Sequence, residues 1–274
     1  MKSVSQFEKA RAFAALHERP GLFVIANAFD GCSVRILESL GYEALATSSW
    51  VQAALLGKQD GKTTRPEALA HAAQIVNATD LPVSADLENG FGDAPDDVAA
   101  TIQQAGAIGL VGGSIEDATG DPKAPIYNID HAIQRVEAAV AAARDLPFKF
   151  MLTARSENFV RGITDLDDTI RRLQTFEVAG ADVLMAPGLP NLEAVHRVCS
   201  SLRKPFSFMA GIPGQSFTIA DLAKAGVKRV SLATSLYSSA MTAAFEAARE
   251  IKDHGTFGYI DRATTVDLNT LLKE

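Results

Sequence analysis

Two cysteines and a single tryptophan among 274 residues leave this chain without a disulfide framework. Cys32 and Cys199 both fall in helical-looking segments, where packing is the ordinary role of a thiol, and their scarcity fits a reducing compartment. Histidine is scarce too. His17, His71, His131 and His196 lie in expected helices and His254 near the end, so none is placed as a triad base or as part of a metal-binding cluster. No apolar run approaches the ~20 residues of a membrane span, and the first residues lack the basic, apolar and small-residue layout of a signal peptide. A cytoplasmic location is the expectation. The net charge of -7 is spread without long acidic or basic blocks, which argues against nucleic acid and anionic membrane and leaves a small molecule as the expected partner. Linkers are missing as well. The 47% hydrophobic content suffices for one large core, and the chain reads as a single domain over 1–274, with an extra helix at 1–20 and a tail at 253–274.

What is present centres on residues 81–92, an apolar run that ends in two carboxylates and breaks into glycines. Pro82, Val83 and Ala85 read as a buried strand, and Asp86 and Glu88, two apart, point to one face of an extended chain. Carboxylates facing one way repel unless a cation or a proton lies between them, and a divalent metal is the economical answer.

The same strand-then-helix beat runs along the chain. Strands are expected at 22–26, 43–47, 82–88, 107–116, 148–154, 181–186, 205–210 and 228–233. Helices are expected at 3–19, from 31 to near 40, and at 65–79, 95–105, 130–144, 165–179, 191–202, 219–225 and 235–252, with a long loop at 48–64. Eight strand-helix units in about 250 residues make an α/β chain of the closed (β/α)8, or TIM barrel, type. An open doubly wound sheet would carry a glycine fingerprint after its first strand, and Asn27-Ala28-Phe29-Asp30-Gly31 is not one. The first helix reads as a lid or a docking helix, and both it and the C-terminal helical tail exceed the barrel's needs, so they are expected to pack on a neighbouring subunit.

Ser48, Asp86 with Glu88, Glu116 with Asp117, and Arg155 with Glu157 each follow a different expected strand, at the carboxyl end where barrels place their chemistry. Taken singly each is an ordinary cap, turn residue or surface charge; across four strands they converge. These residues, together with Gly57-Lys58-Gln59-Asp60-Gly61, Ser114-Ile115-Glu116-Asp117 and Thr153-Ala154-Arg155, resemble the isocitrate lyase and phosphoenolpyruvate mutase superfamily over almost the whole chain. The resemblance implies an oligomeric barrel, a dimer or tetramer with a helix exchanged between subunits, that binds Mg2+, with Mn2+ as a substitute, and a 2-oxo acid or its enolate. By position, Asp86 would touch the metal, and Asp60, Glu88 and Glu116 would hold metal-bound waters. Ser48 and Ser49 would receive the carboxylate or phosphoryl oxygens of the substrate, and Arg155 would neutralise developing negative charge, with Asp60 and Glu116 beside it in the catalytic set. On sequence alone a structural pair of Arg155 with Glu157 or Glu116 is equally open.

The departures bear on substrate. The Lys-Arg-Cys-Gly-His loop of the isocitrate and methylisocitrate lyases is replaced at 117–125, so their cysteine acid is missing, and Pro187 stands where those lyases carry a glutamate. Lys123, Tyr127 or a metal-bound water would have to supply the proton instead. The first expectation is a Mg2+-dependent carbon-carbon lyase acting on a 2-oxo acid or related small carboxylate through a metal-stabilised enolate. Phosphorus-carbon chemistry of the phosphoenolpyruvate mutase or phosphonopyruvate hydrolase type is the enzymatic alternative, and a barrel that binds a 2-oxo acid without turnover is the other.

Overall fold

The structure is a computed structural model that describes residues 4–262 and 267–272. Chain order is α1 (Gln6–Glu18), β1 (Phe23–Asn27), α2 (Gly31–Ser39), β2 (Leu45–Ala46), α3 (Ser49–Leu55), α4 (Arg65–Asn77), β3 (Val83–Asp86), α5 (Pro95–Ala107), β4 (Gly112–Glu116), α6 (Ile129–Arg144) and β5 (Met151–Arg155). A 3-10 turn (Phe159–Arg161) follows, then α7 (Leu166–Ala179), β6 (Val183–Met185), α8 (Leu192–Ser200), β7 (Phe206–Met209), α9 (Ile219–Lys224), β8 (Arg229–Ser231) and α10 (Ser235–His254). Two short helical turns, α11 (Tyr259–Arg262) and α12 (Leu268–Leu271), complete the described chain. The eight strands are parallel neighbours in sequence order, and β8 closes on β1, so the sheet is the expected barrel.

Strand and helix ends shift by one or two residues in several places, and three differences are larger. Residues 48–64 are not all loop: Ser48 caps the short helix α3 by accepting from Val51 N. The fourth strand begins at Gly112 rather than at 107, because α5 runs through Ala107 and Gly109 then turns the chain at φ 100, where an added Cβ would lie 2.7 Å from Val76. The fifth begins at Met151 rather than at 148.

The larger difference is α1. Its expected start at Ser3 lies outside the described residues, and the helix is begun by a capping box between Ser5 and Glu8. Ala10, Phe13 and Leu16 bury against Phe23, Ile25, Val111, Met151 and Val183, residues at or near the start of their strands. α1 therefore plugs the amino end of its own barrel, not a neighbour's. Phe13 is fully buried over Gly112, where a Cβ would sit 2.7 Å from its ring. Burying that ring is worth roughly 1.5–3 kcal/mol. His17 on the same helix is wedged edge-on between Phe13 and Phe23. The carboxyl end of the barrel is thereby left as the open one.

α10 behaves differently. Tyr237 is its one buried residue, while Met241, Phe245 and Ile251 are exposed. Among the described residues, no helix is long and apolar enough to cross a membrane.

Candidate active site

At the carboxyl end a cleft of about 1160 Å³ gathers the residues singled out from the sequence: Ser48, Ser49, Asp60, Asp86, Glu88, Glu116 and Arg155 all line it. Strand register is what brings them together. Asp86 pairs with Ser114 across β3 and β4, and Glu116 pairs with Arg155 across β4 and β5, so one acid, one hydroxyl, a second acid and a guanidinium end on adjacent strands.

Arg155 is the hub. Its Nη1 donates to Asp86 Oδ1 at 2.8 Å, and its Nη2 lies 3.1 Å from Glu116 Oε2 and 2.9 Å from Glu157 Oε1. Burial disfavours the charge, yet Glu157, Asp86 and Glu116 together hold the guanidinium firmly protonated. The structural pairs left open by the sequence are thus both present, and a third links Arg155 to Asp86. Arg161, from the 3-10 turn, adds a second cation 3.2 Å from Glu116 Oε1. Glu157 is the converging strand-end acid expected from the sequence, whereas Arg161 was not singled out, since nothing in its spacing says that the turn after β5 folds back over Glu116.

Asp86 is ionised. Burial works against this, but Arg155 and the donors from Ser49 hold its carboxyl below the usual range. Ser49 gives Asp86 Oδ2 both its hydroxyl, at 2.9 Å, and its backbone N–H, at 3.2 Å. Ser49 thus positions Asp86, while Ser48 is occupied as the cap of α3. Glu88 sits in the left-handed region at φ 50, a conformation that costs a non-glycine residue on the order of 1–3 kcal/mol and aims its side chain into the cleft rim. Thr63 donates to its Oε1 at 2.7 Å. Burial, with the charges of Asp86 and Asp60 behind it, still pushes the Glu88 carboxyl up to about 7. Asp60 is pushed upward by burial and by Asp86, and Glu116 by burial and by Glu157.

Five carboxylates, Asp60, Asp86, Glu88, Glu116 and Glu157, therefore share a cleft in which Arg155 and Arg161 are their paired cations. The donor set is all oxygen, which suits a hard divalent cation. Among the described residues no group of three or more acidic, histidine or cysteine side chains forms a ready-made cage. A lining without histidine or cysteine is not the donor set of a structural zinc.

A second, deeper layer fixes the strand ends. Asp117 accepts from Glu157 N at 2.8 Å and pairs with Arg172 of α7 at 3.2 Å. Burial raises its carboxyl to about 7. The loop that replaces the lyase cysteine loop closes on itself, with Ala118 bridged to Ile126 and Thr119 N bonded to Pro125 O at 3.1 Å. Neither side chain expected as a substitute acid lines the cleft. Lys123 is exposed and outside the cleft lining, and Tyr127, also outside it, donates its hydroxyl to Asp93 at 2.5 Å. Burial and Asp93 push that phenol up to about 12. His71 and His131 spend Nε2 on backbone carbonyls, as packing residues do.

Comparison with known proteins agrees with this geometry. A family model described as phosphoenolpyruvate phosphomutase matches residues 13–252. A provisionally assigned lyase/mutase of Burkholderia cenocepacia J2315, known as a crystal structure, is 47% identical and superposes with a TM-score of 0.95 over 97% of this chain and 96% of that one. The oxaloacetate decarboxylase of Paraburkholderia xenovorans strain LB400 is 29% identical over 250 residues, 88% of this chain and 82% of its own. Oxaloacetate acetylhydrolase in complex with its product oxalate is 26% identical, with a TM-score of 0.86 over 97% of this chain and 94% of that one. With the barrel, the strand-end residues and the family match in hand, the chain belongs to the isocitrate lyase and phosphoenolpyruvate mutase superfamily of lyases and mutases.

Proposed function

We propose that this chain is a Mg2+-dependent carbon-carbon lyase acting on a 2-oxo acid or a closely related small carboxylate. The observation that carries the reading is the Arg155 hub, which holds Asp86 and Glu116 at the carboxyl end of the barrel beside Asp60 and Glu88. Superfamily members are in general Mg2+-dependent, and the all-oxygen donor set here suits that ion. Asp86 would hold it, with Asp60, Glu88 and Glu116 acting through its water shell. When bound, Mg2+ supplies Lewis acidity toward the oxygens of a 2-oxo acid.

The chain's own residues do the rest. Arg155 presents a planar, permanently charged fork where negative charge develops on the substrate, and its three carboxylate partners fix its orientation in advance. Ser49 holds Asp86 in place from the opposite side. Asp117 and Arg172 lock the backbone after β5 on which Glu157 and the turn carrying Arg161 are built. No thiol acid is available at the cleft, so chemistry that ends in a carbanion needing one, as isocitrate cleavage does, is disfavoured. The exposed face of α10 supports a homo-oligomer in which that helix is covered by a second copy.

Relatives named oxaloacetate decarboxylase, oxaloacetate acetylhydrolase and 2,3-dimethylmalate lyase support this branch, while the phosphomutase description of the family model and a provisionally assigned phosphonomutase, 31% identical, support phosphorus-carbon chemistry as the second reading. The test is a panel of 2-oxo and 2-hydroxy acids with Mg2+, read by pyruvate or glyoxylate release, with phosphonopyruvate included. Metal-dependent release from a carbon substrate is the expected result. Turnover of phosphonopyruvate alone would move the chain to the mutase chemistry, and binding without any turnover would make it a 2-oxo acid binding barrel.

A further inference from the structure

The cleft does not stop at the strand ends. It descends the barrel axis to Ile25, Ser84 and Arg229, which lie before the carboxyl ends of their strands. The interior of such a barrel is ordinarily packed with bulky branched side chains. Here Ser84, Ser114 and Ser231 line the cleft, and Thr153 and Ser207 bond the Arg229 guanidinium, so the floor is built of small hydroxyls.

Arg229 stands among them, 5% exposed, with no opposite charge beside it. Its Nε donates to Ser207 Oγ at 3.0 Å, its Nη2 donates to Thr153 Oγ1 at 2.9 Å, and its Nη1 lies 3.4 Å from Nε2 of the neutral His17. Among the described residues no carboxylate pairs with it, and burial alone pushes it down to about 10, so it stays charged at neutral pH. Arg155, by contrast, meets three carboxylates. A buried, unpaired guanidinium is costly until an anion joins it. The donors for an anion are in place. Three of the five guanidinium N–H groups are engaged, which leaves one on each Nη. Thr153 and Ser207 are fully buried, accept from Arg229, and donate their hydroxyls to no acceptor among the described residues.

We propose that the barrel floor is a second anion site, separate from the acid cluster at the strand ends, in which Arg229, Thr153 and Ser207 bind a small carboxylate. A planar carboxylate can accept from both free Nη N–H groups at once. Thr153 precedes Arg155 by two residues on β5, about 6.6 Å along the strand. That step is within the reach of a short diacid, so the far carboxylate of an acid held at Asp86 is one source and a free monocarboxylate the other. The first source rests on the 2-oxo acid reading and agrees with it, because a far carboxylate belongs to the fragment that departs on cleavage. The site itself does not depend on that reading.

Two titrations of the full chain separate the sources. With Mg2+, calorimetry compares 2-oxoglutarate with 2-oxopentanoate, which end the same five-carbon chain in a carboxylate and in a methyl group. With a chelator and no metal, sodium acetate is titrated while the thermal melt is followed. If the far end of a diacid occupies the floor, 2-oxoglutarate binds about tenfold more tightly than 2-oxopentanoate or better, and Arg229→Met brings the two within about threefold without moving the monoacid. If a free monocarboxylate occupies it, acetate raises the melting temperature of the parent and not that of Arg229→Met. Thr153→Val removes one hydroxyl donor at nearly constant volume and keeps the cation. It is expected to reduce whichever effect the parent shows by about threefold or more, which keeps the test open should Arg229→Met fail to fold. An arginine that serves only as a strut to the plug helix gives a different pattern, a lowered melt in Arg229→Met with the acetate response and the diacid preference unchanged, and that result overturns the proposal. So does a parent that shows neither effect. An acetate response without Mg2+-dependent binding of either 2-oxo acid overturns the 2-oxo acid reading and leaves the floor site standing.

Discussion

Arg155 Nη1 lies 2.8 Å from Asp86 Oδ1, so the acid singled out as a metal ligand is also the anchor of the arginine singled out for charge neutralisation. The two roles are mechanically joined. A guanidinium held in one orientation by Asp86, Glu116 and Glu157 pays little reorganisation when substrate charge develops, which is the condition under which such a group contributes most.

Replacing the fork by a point charge separates geometry from charge. Arg155→Lys keeps one cation but cannot span three carboxylates, and it is expected to lower kcat/KM by roughly 30- to 1,000-fold, about 2 to 4 kcal/mol. Steady-state kinetics on the best substrate decide it, and an unchanged kcat/KM would make Arg155 a purely structural pair.

Thiol chemistry is expected to be irrelevant. Cys32 and Cys199 lie outside the cleft lining, and burial pushes the Cys199 thiol up to about 12, so little thiolate exists at neutral pH. Iodoacetamide is expected to leave activity largely intact. Rapid inactivation that substrate prevents would show that a cysteine acid has been misplaced.

The plug helix carries its own pH signature. Burial, reinforced by the facing charge of Arg229, pushes the His17 imidazole down to about 3. Its Nδ1 lies 2.8 Å from Phe13 O, the geometry of an N–H donating to that carbonyl, which leaves Nε2 as the unprotonated nitrogen toward Arg229. The folded chain keeps His17 neutral while an unfolded one protonates it below about 6.5, so the unfolded state binds the extra proton and stability falls as pH drops through that window toward 3. In urea unfolding, His17→Gln is expected to lose less stability than the parent between pH 7 and pH 5. An equal loss in both would show that His17 does not hold this proton linkage.

How much of this was legible depended on the kind of signal. Strand and helix alternation made the barrel legible, and the polar residues that follow β2 to β5 are aligned by the register, as Glu116 aligns with Arg155. The position of α1 was not legible, since an amphipathic stripe through Ala10 and Phe13 looks the same whether it caps the open end or plugs the other. Gly112 was the missing clue: only the folded chain shows that its absent side chain makes room for Phe13. α3 was lost inside a long loop because seven residues carry too little periodicity to stand out. Asp86, Glu88 and Asp60 were found through residue type and motif, but Arg161 entered the site through a 3-10 turn that no spacing rule encodes.

The exposed stripe of α10 predicts assembly. Light scattering is expected to give a dimer or tetramer, and Phe245→Asp, which puts a charge on an exposed ring position, is expected to lower the mass without unfolding the barrel. A monomeric parent chain would leave that face without the second copy proposed for it.

The central claim is that Asp86 and its neighbours form a Mg2+ site for a 2-oxo acid, and titration with oxalate, a flat dianion shaped like a pyruvate enolate, tests it most directly. The parent chain is expected to bind oxalate in the presence of Mg2+ and to lose that binding with a chelator. Asp86→Asn, which removes the charge expected to hold the metal while retaining size, is expected to abolish metal-dependent binding with the fold intact by circular dichroism. Oxalate bound equally well by the folded Asp86→Asn variant, or by the parent without metal, would contradict the account.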